Sequence, residues 1–260
     1  MAARAIWKGV LHVGSERVPV KLYSAVEDRT VHFRLLDGKK GAPVHQQLVD
    51  PSSDEVVAYQ DVQRGFASED RFVVLKKDEL DALAPEPSRD IAVAHFVDIE
   101  RLGAEWYVRP YYLGPDGDDE SYFALAEALR QSGKEGLAHW AMRGHEYTGV
   151  LRERDGYLML VTLRHAGEVI ERDELPRPEG RAHTDKELKM AEQLIAAYED
   201  EFDPAAYKDE YRERVLQFVE QKAKGKRPRL KKVVEKRSEP SLTDALARSL
   251  AGLKKDRSVA

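Results

Sequence analysis

The chain has 260 residues, 42% of them hydrophobic and 34% charged, with no cysteine and a formal net charge of −5. That length holds one sizeable domain with an appendage, or two small domains. The missing thiols exclude disulfides, thiolate zinc sites and a cysteine nucleophile, and they fit a reducing cytoplasm. No run of about 18 apolar residues offers a membrane span. The opening MAARAIWKGVLHVG lacks an apolar stretch followed by a small-residue cleavage site, so no secretory signal is expected.

In chain order, residues 5–13 alternate as a strand, and residues 18–23 follow as a second after a Gly14-Ser15 turn. The early Pro19 places that second strand at an edge or at a strand start. Residues 31–36 are expected as a further strand, and 37–55 as a loop with room for one strand pair. Residues 71–75 read as a strand and 77–83 as a short helix stopped by Pro85 and Pro87. Residues 91–99 alternate, and the aromatic-rich 105–113 are β-prone. Ser121 is expected to cap a helix that ends at Gly133.

Three strands follow over residues 137–143, 147–153 and 157–163. The last two are joined by Asp155-Gly156, a strong hairpin signal because Gly accepts positive φ. The third of these strands, YLMLVTL, has almost no polar residue and should be covered on both faces. Arg143, Arg152, Arg154 and Arg164 stand at the ends of this group as a cationic fringe. Many short strands with turn signals and an occasional helix suggest a barrel or sandwich.

After Pro176 the character changes. Thr184-Asp-Lys-Glu187 is a capping box, and the helix it starts carries Leu188, Ala191, Leu194, Ile195 and Tyr198 on one face. Asp203-Pro204 is expected to start a second helix with a stripe of Tyr207, Tyr211, Val215, Phe218 and Val219. Residues 222–260 then hold 13 Lys+Arg against 4 Asp+Glu, leaving 29 against 43 in residues 1–221. An acidic body therefore carries a basic tail. Such a tail points to nucleic acid, or serves only to solvate the chain. Leu242, Leu246, Leu250 and Leu253 form a short apolar helical stripe beyond it. A helix of about 12 residues is marginal alone, so it either docks on the body or folds on a partner.

Catalytic patterns are missing. The eight histidines form neither HxxxH nor HExxH, and there is no Walker loop, GxGxxG or GxSxG. No pair of carboxylates sits in an apolar setting that would tune a pKa. The chain reads as a binder and not an enzyme, with no cofactor and no metal expected.

Four blocks then carry a family resemblance: RAIWKG with VPVKLYSA, RPYYLGP, LRERDGYLMLVTLRH, and the run from Glu187 to Lys226. In their order and spacing they resemble bacterial Ku, the DNA-end-binding protein of non-homologous end joining. The resemblance implies an α+β, mainly β, fold: a Ku-type β-barrel core over 1–178, a helical arm over 179–225, and a flexible basic tail with a short terminal helix over 226–260. It further implies a homodimeric ring around double-stranded DNA ends, recruitment of the ATP-dependent DNA ligase D, and a cytoplasmic, nucleoid-associated place of action. One departure stands out. Many members carry Cys-x-x-Cys where this chain reads Val49-Asp-Pro-Ser-Ser-Asp-Glu55, so a zinc knuckle is lost and turn chemistry must hold the loop.

A ring that accepts any end reads phosphates, not bases. The candidate phosphate contacts are Lys8, Lys21, Arg109, Arg143 and Arg152 in the matching blocks, with Lys224, Lys226, Arg227, Arg229, Lys231 and Lys232 in the tail. Each arginine of the body has an alternative role, pairing with one of the many carboxylates. Arg152 and Arg154 fall on one face by alternation and should act together. Leu242, Leu246, Leu250 and Leu253 are the candidate partner contacts.

Overall fold

The computed structural model describes residues 3–69, 71–177 and 179–226. These divide into two compact units, residues 3–29 with 33–174, and residues 30–32 with 175–226. The first unit contains β1 (Trp7–Val13), β2 (Glu16–Ser24), β3 (Leu48–Val49), β4 (Val56–Val57), β5 (Arg64–Ser68) and β6 (Arg71–Leu75). After the short helix α1 (Lys77–Leu83) come β7 (Asp90–Asp98), β8 (Tyr107–Pro115), helix α2 (Asp119–Ser132), β9 (Lys134–Met142), β10 (His145–Arg154) and β11 (Tyr157–Leu163). The second unit contains α3 (Asp185–Ala197) and α4 (Glu210–Ala223).

Seven strands close into a barrel in the order β1-β2-β8-β11-β10-β9-β7. Its pairs are antiparallel except at the closure, where β1 and β7 run parallel from Val10↔Asp90 to Val13↔Val93. Closure removes the sheet edges that would otherwise invite pairing with another chain. The long β9-β10-β11 meander is the part most legible from sequence. Asp155 and Gly156 both take positive φ, 54° and 84°, as a two-residue hairpin turn requires. The same geometry recurs at Arg143 (φ 54°) and Gly144 (φ 76°), so Arg143 is a turn residue between β9 and β10 and not the end of a strand. As expected, β11 is covered on both faces, with Leu158 through Thr162 all buried.

Leu11, Val20, Leu22, Ile91, Leu113, Leu151, Leu158 and Leu160 form the center of the core, each with no exposed surface. Helix α2 joins it through Tyr122, Ala126 and Leu129, spaced so that they share one helix face. The Tyr122 hydroxyl donates to Leu113 O at 2.5 Å and accepts from Leu158 N at 2.9 Å, linking the helix to β8 and β11. Burial pushes that phenol's pKa upward. Asp118, not Ser121, caps α2: its carboxylate accepts from Ser121 N at 3.1 Å. Gly133 ends the helix in the left-handed conformation at φ 63°.

Several expected elements change. Residues 31–36 form no strand; only Leu36 bridges to Pro43, and Phe33 and Leu35 are exposed because no partner strand runs beside them. The Asp203-Pro204 start yields one 3-10 turn, Pro204–Ala206. Helix α4 begins afresh at Glu210 because Asp209 caps it, accepting from Arg212 N at 2.8 Å, and Tyr207 falls outside it. The Thr184 capping box forms as expected. Its Glu187 is almost fully buried and also takes the Arg181 guanidinium, raising the arginine's pKa.

The loop that departs from the Cys-x-x-Cys pattern is held as turn chemistry anticipated. Asp50 Oδ1 accepts from Ser52 N at 2.8 Å and Ser52 Oγ at 2.6 Å, and Asp54 takes φ 57°. These bonds hold the Asp50 carboxyl below its usual range. Asp50 N donates to Glu55 O at 2.9 Å, which continues the β3–β4 pairing at Val49↔Val56.

Candidate nucleic-acid interface

The barrel places the five body candidates in different chemical settings. Lys8 and Lys21 face each other directly across β1 and β2. Like charges opposite one another destabilise a sheet. Asp116, just past β8, resolves the conflict by accepting from Lys8 at 2.9 Å and Lys21 at 2.9 Å. Hydrogen bonds from Lys21 and then Lys8 hold the Asp116 carboxyl below its usual range, and the bond to Asp116 raises the Lys21 ammonium. The triad keeps a single net positive charge.

Arg152 is committed inward. Its guanidinium pairs with Glu135 through Nη2, and its Nε donates to the same Oε1 at 2.5 Å. Glu135 is only 1% exposed. The Tyr107 hydroxyl donates to Glu135 Oε2 at 2.8 Å, and the Arg152 guanidinium lies 5.1 Å from the center of the Tyr107 ring. A buried carboxylate demands such a partner, since removing either charge strands the other. Arg154 shares the strand parity of Arg152 but not its environment. It is 75% exposed and lies 3.6 Å from Asp155, so alternation alone did not make the two equivalent.

Arg109 and Arg143 differ from these. Arg109 is exposed, its Nη2 donates to Ser24 Oγ at 3.3 Å, and its guanidinium stands 5.7 Å from the Tyr111 ring center. No carboxylate pairs with it among the described residues. Arg143 projects from the β9–β10 turn, exposed and equally without a carboxylate partner among the described residues. Arg164 is tied to the Glu105 carbonyl at 3.0 Å. Lys224 pairs with Glu220 one turn back on α4, and Lys226 is the last described residue. Arg227, Arg229, Lys231, Lys232, Leu242, Leu246, Leu250 and Leu253 lie outside the described residues.

One further group of cations was not anticipated. Arg64, Lys76 and Lys77 line a cleft with Tyr59. Their separation along the chain carries no motif, and only the β5–β6 hairpin brings them together. Among the described residues no cluster of three metal-ligating side chains occurs, and no helix is long and apolar enough to cross a membrane. The two buried carboxylates among the described residues, Glu135 and Glu187, are both paired with arginine.

Comparison with known proteins adds the family context. A family profile described as "Ku70/Ku80 beta-barrel domain" matches residues 13–190. The non-homologous end joining protein Ku of Anaeromyxobacter sp. (strain K) is 34% identical over 97% of this chain and 87% of its own length. The non-homologous end joining protein Ku 2 of Geotalea uraniireducens is 35% identical over 96% and 97%. The archaeal non-homologous end joining protein Ku of Archaeoglobus fulgidus is 30% identical over 96% and 100%.

Proposed function

Because this chain belongs to the Ku β-barrel family, we propose that it serves non-homologous end joining by binding double-stranded DNA ends without sequence preference. Two copies close into a ring that threads onto a free end, and the ring recruits and stimulates an ATP-dependent DNA ligase D. The protein acts as a scaffold and performs no catalysis of its own. The observation that carries this reading is the likeness to proteins named for end joining across nearly the whole chain. The exposed, carboxylate-free Arg109 and Arg143 support phosphate contact, which positions a protein on DNA without reading bases. The tail lysines and arginines from Lys224 to Lys232 add nonspecific contacts, and the stripe Leu242, Leu246, Leu250 and Leu253 meets the ligase.

The test is a gel shift on linear and relaxed circular duplex of one sequence. Linear DNA should be bound and the circle should not, because a closed ring has no entry point on it. Equal binding to both would reduce the protein to a nonspecific nucleic-acid binder. Affinity should fall with salt at a slope of roughly −5 in log K against log salt for about 6 neutralised phosphates.

A further inference from the structure

The cleft beside the β5–β6 hairpin has the makings of a second nucleic-acid site, distinct from the duplex contacts considered above. In the hairpin Arg64 pairs with Leu75, so Lys76 and Lys77, which follow Leu75 directly, come to the same end as Arg64. Tyr59 opens the 3-10 turn that precedes β5. The cleft measures about 470 Å³ and is lined by three cations, Arg64, Lys76 and Lys77, against one carboxylate, Asp81. Sites for small organic ligands span about 300–1,000 Å³.

Three features make this cleft unusual. No ion pair among the described residues takes up any of the three cations, although 43 acidic side chains occupy residues 1–221. Tyr59 is 87% exposed, the most exposed large hydrophobic side chain described, and it stacks on no other ring among the described residues. A second cleft, which includes Glu86, Asp90 and Glu146, carries the opposite charge. Among the lining side chains three cations thus surround one open aromatic face, with Asp78 and Glu79 of the first turn of α1 beside them, Glu79 accepting from Lys76 N at 2.8 Å. Cations that track a backbone beside an aromatic on which a base can stack are the composition of a single-strand platform.

We propose that this cleft holds one unpaired nucleotide, its base stacked on Tyr59 and its phosphate held by Arg64, Lys76 and Lys77. At a DNA end that nucleotide belongs to a single-stranded overhang. The inference deepens the end-binding reading and rests on it for the source of the strand, while the cleft's chemistry stands on its own residues.

The full-length protein is titrated by fluorescence anisotropy against hairpin duplexes with one free end. One end is blunt, one carries about six unpaired nucleotides, and one carries the same overhang without bases. The wild-type protein should bind the overhang about fivefold or more tightly than the blunt end, the lower range expected for stacking one base. Tyr59→Ala should lose that gain, Tyr59→Phe should keep it, and Arg64→Gln combined with Lys77→Gln should lose it. Blunt-end affinity should not change in any variant, and the abasic overhang should fall between the other two. Equal affinity of the wild type for blunt and overhanging ends overturns the proposal. So does a Tyr59→Ala protein that retains the full gain, or one that loses blunt-end binding as well. A wild type that ignores the blunt end but binds the overhang through Tyr59 removes the end-loading reading and upholds the cleft. Competition by millimolar deoxyadenosine monophosphate shows that a free nucleotide satisfies the same chemistry, and its absence restricts the cleft to a strand.

Discussion

Replacing Arg152 by alanine separates a structural arginine from a phosphate contact. The change leaves Glu135, 1% exposed, without its counter-ion. The Tyr107 hydroxyl still donates to Oε2, but one neutral bond does not offset a buried charge. Breaking a buried pair by removing one partner costs about 3–5 kcal/mol. For a chain of this size each kcal/mol lowers the melting temperature by about 2–4 °C, so a fall of about 10 °C is expected. Lost packing of the Arg152 stem on the Tyr107 ring adds to it. The assay is urea and thermal unfolding followed by circular dichroism, alongside duplex-end binding at a temperature where the variant is folded. Stability should fall and affinity per folded molecule should hold. Replacing both partners, Glu135→Leu with Arg152→Met, should recover most of the loss, because a well-packed apolar pair is often as stable as a buried ion pair. An Arg152→Ala protein with unchanged unfolding and weakened DNA binding would refute the reasoning and restore Arg152 to the phosphate-facing set.

Arg109→Ala is the converse case: unfolding should move by no more than about 0.5 kcal/mol, while the salt slope of end binding loses about one unit in a titration at several ionic strengths. Gly149→Ala should destabilise, because a β-carbon there meets the Val161 carbonyl at 2.5 Å and the Trp140 ring at 2.7 Å. The backbone cannot retreat, so the urea midpoint should shift by the upper part of about 1–3 kcal/mol. Glu127, hydrogen-bonded by Arg130 and Gln131, should titrate at about 2 in a carboxylate NMR experiment, against 4.5 ordinarily. Its folded-state pKa is depressed, so its contribution is present above the ordinary value and is lost as pH falls toward about 2; Arg130→Ala should return it toward the ordinary range. Truncation after Gly225 should leave end binding in gel shifts and weaken ligase stimulation, and loss of both would sink that division of labor.

Local signals were sufficient at several places where neighbors in sequence are also neighbors in space, though not at the Asp118 cap, the Arg143-Gly144 turn or the Asp209 cap. The Asp155-Gly156 turn, the Gly133 helix end, the Thr184 capping box and the Asp50-Ser52 turn each close a hydrogen bond or a steric requirement within a few residues, so residue type alone announced them. The unbroken apolar run of β11 likewise implied cover on both faces. The blocks of family resemblance pointed to a barrel, which the closed seven-strand sheet bears out.

The fate of each charge was a matter for tertiary structure. Lys8, Lys21, Arg109 and Arg152 look alike in sequence, yet three of them meet a carboxylate contributed from another strand or loop, Asp116 or Glu135, and among the described residues Arg109 does not. Coulomb energy depends on distance and surroundings, and neither is set until β8 lies beside β2 and β9 beside β10. The absent strand over residues 31–36 follows the same logic, since a β-prone run stays irregular when no full strand pairs with it, and here the pairing is limited to Val44 N donating to Leu35 O at 3.2 Å and the Leu36–Pro43 bridge. Sequence by itself determined most barrel strands, the Asp155-Gly156 turn and the family. Only tertiary structure decided which cations meet a carboxylate and which, at Arg109, Arg143 and around Tyr59, have no carboxylate partner among the described residues. That choice rests on contacts between residues remote in sequence.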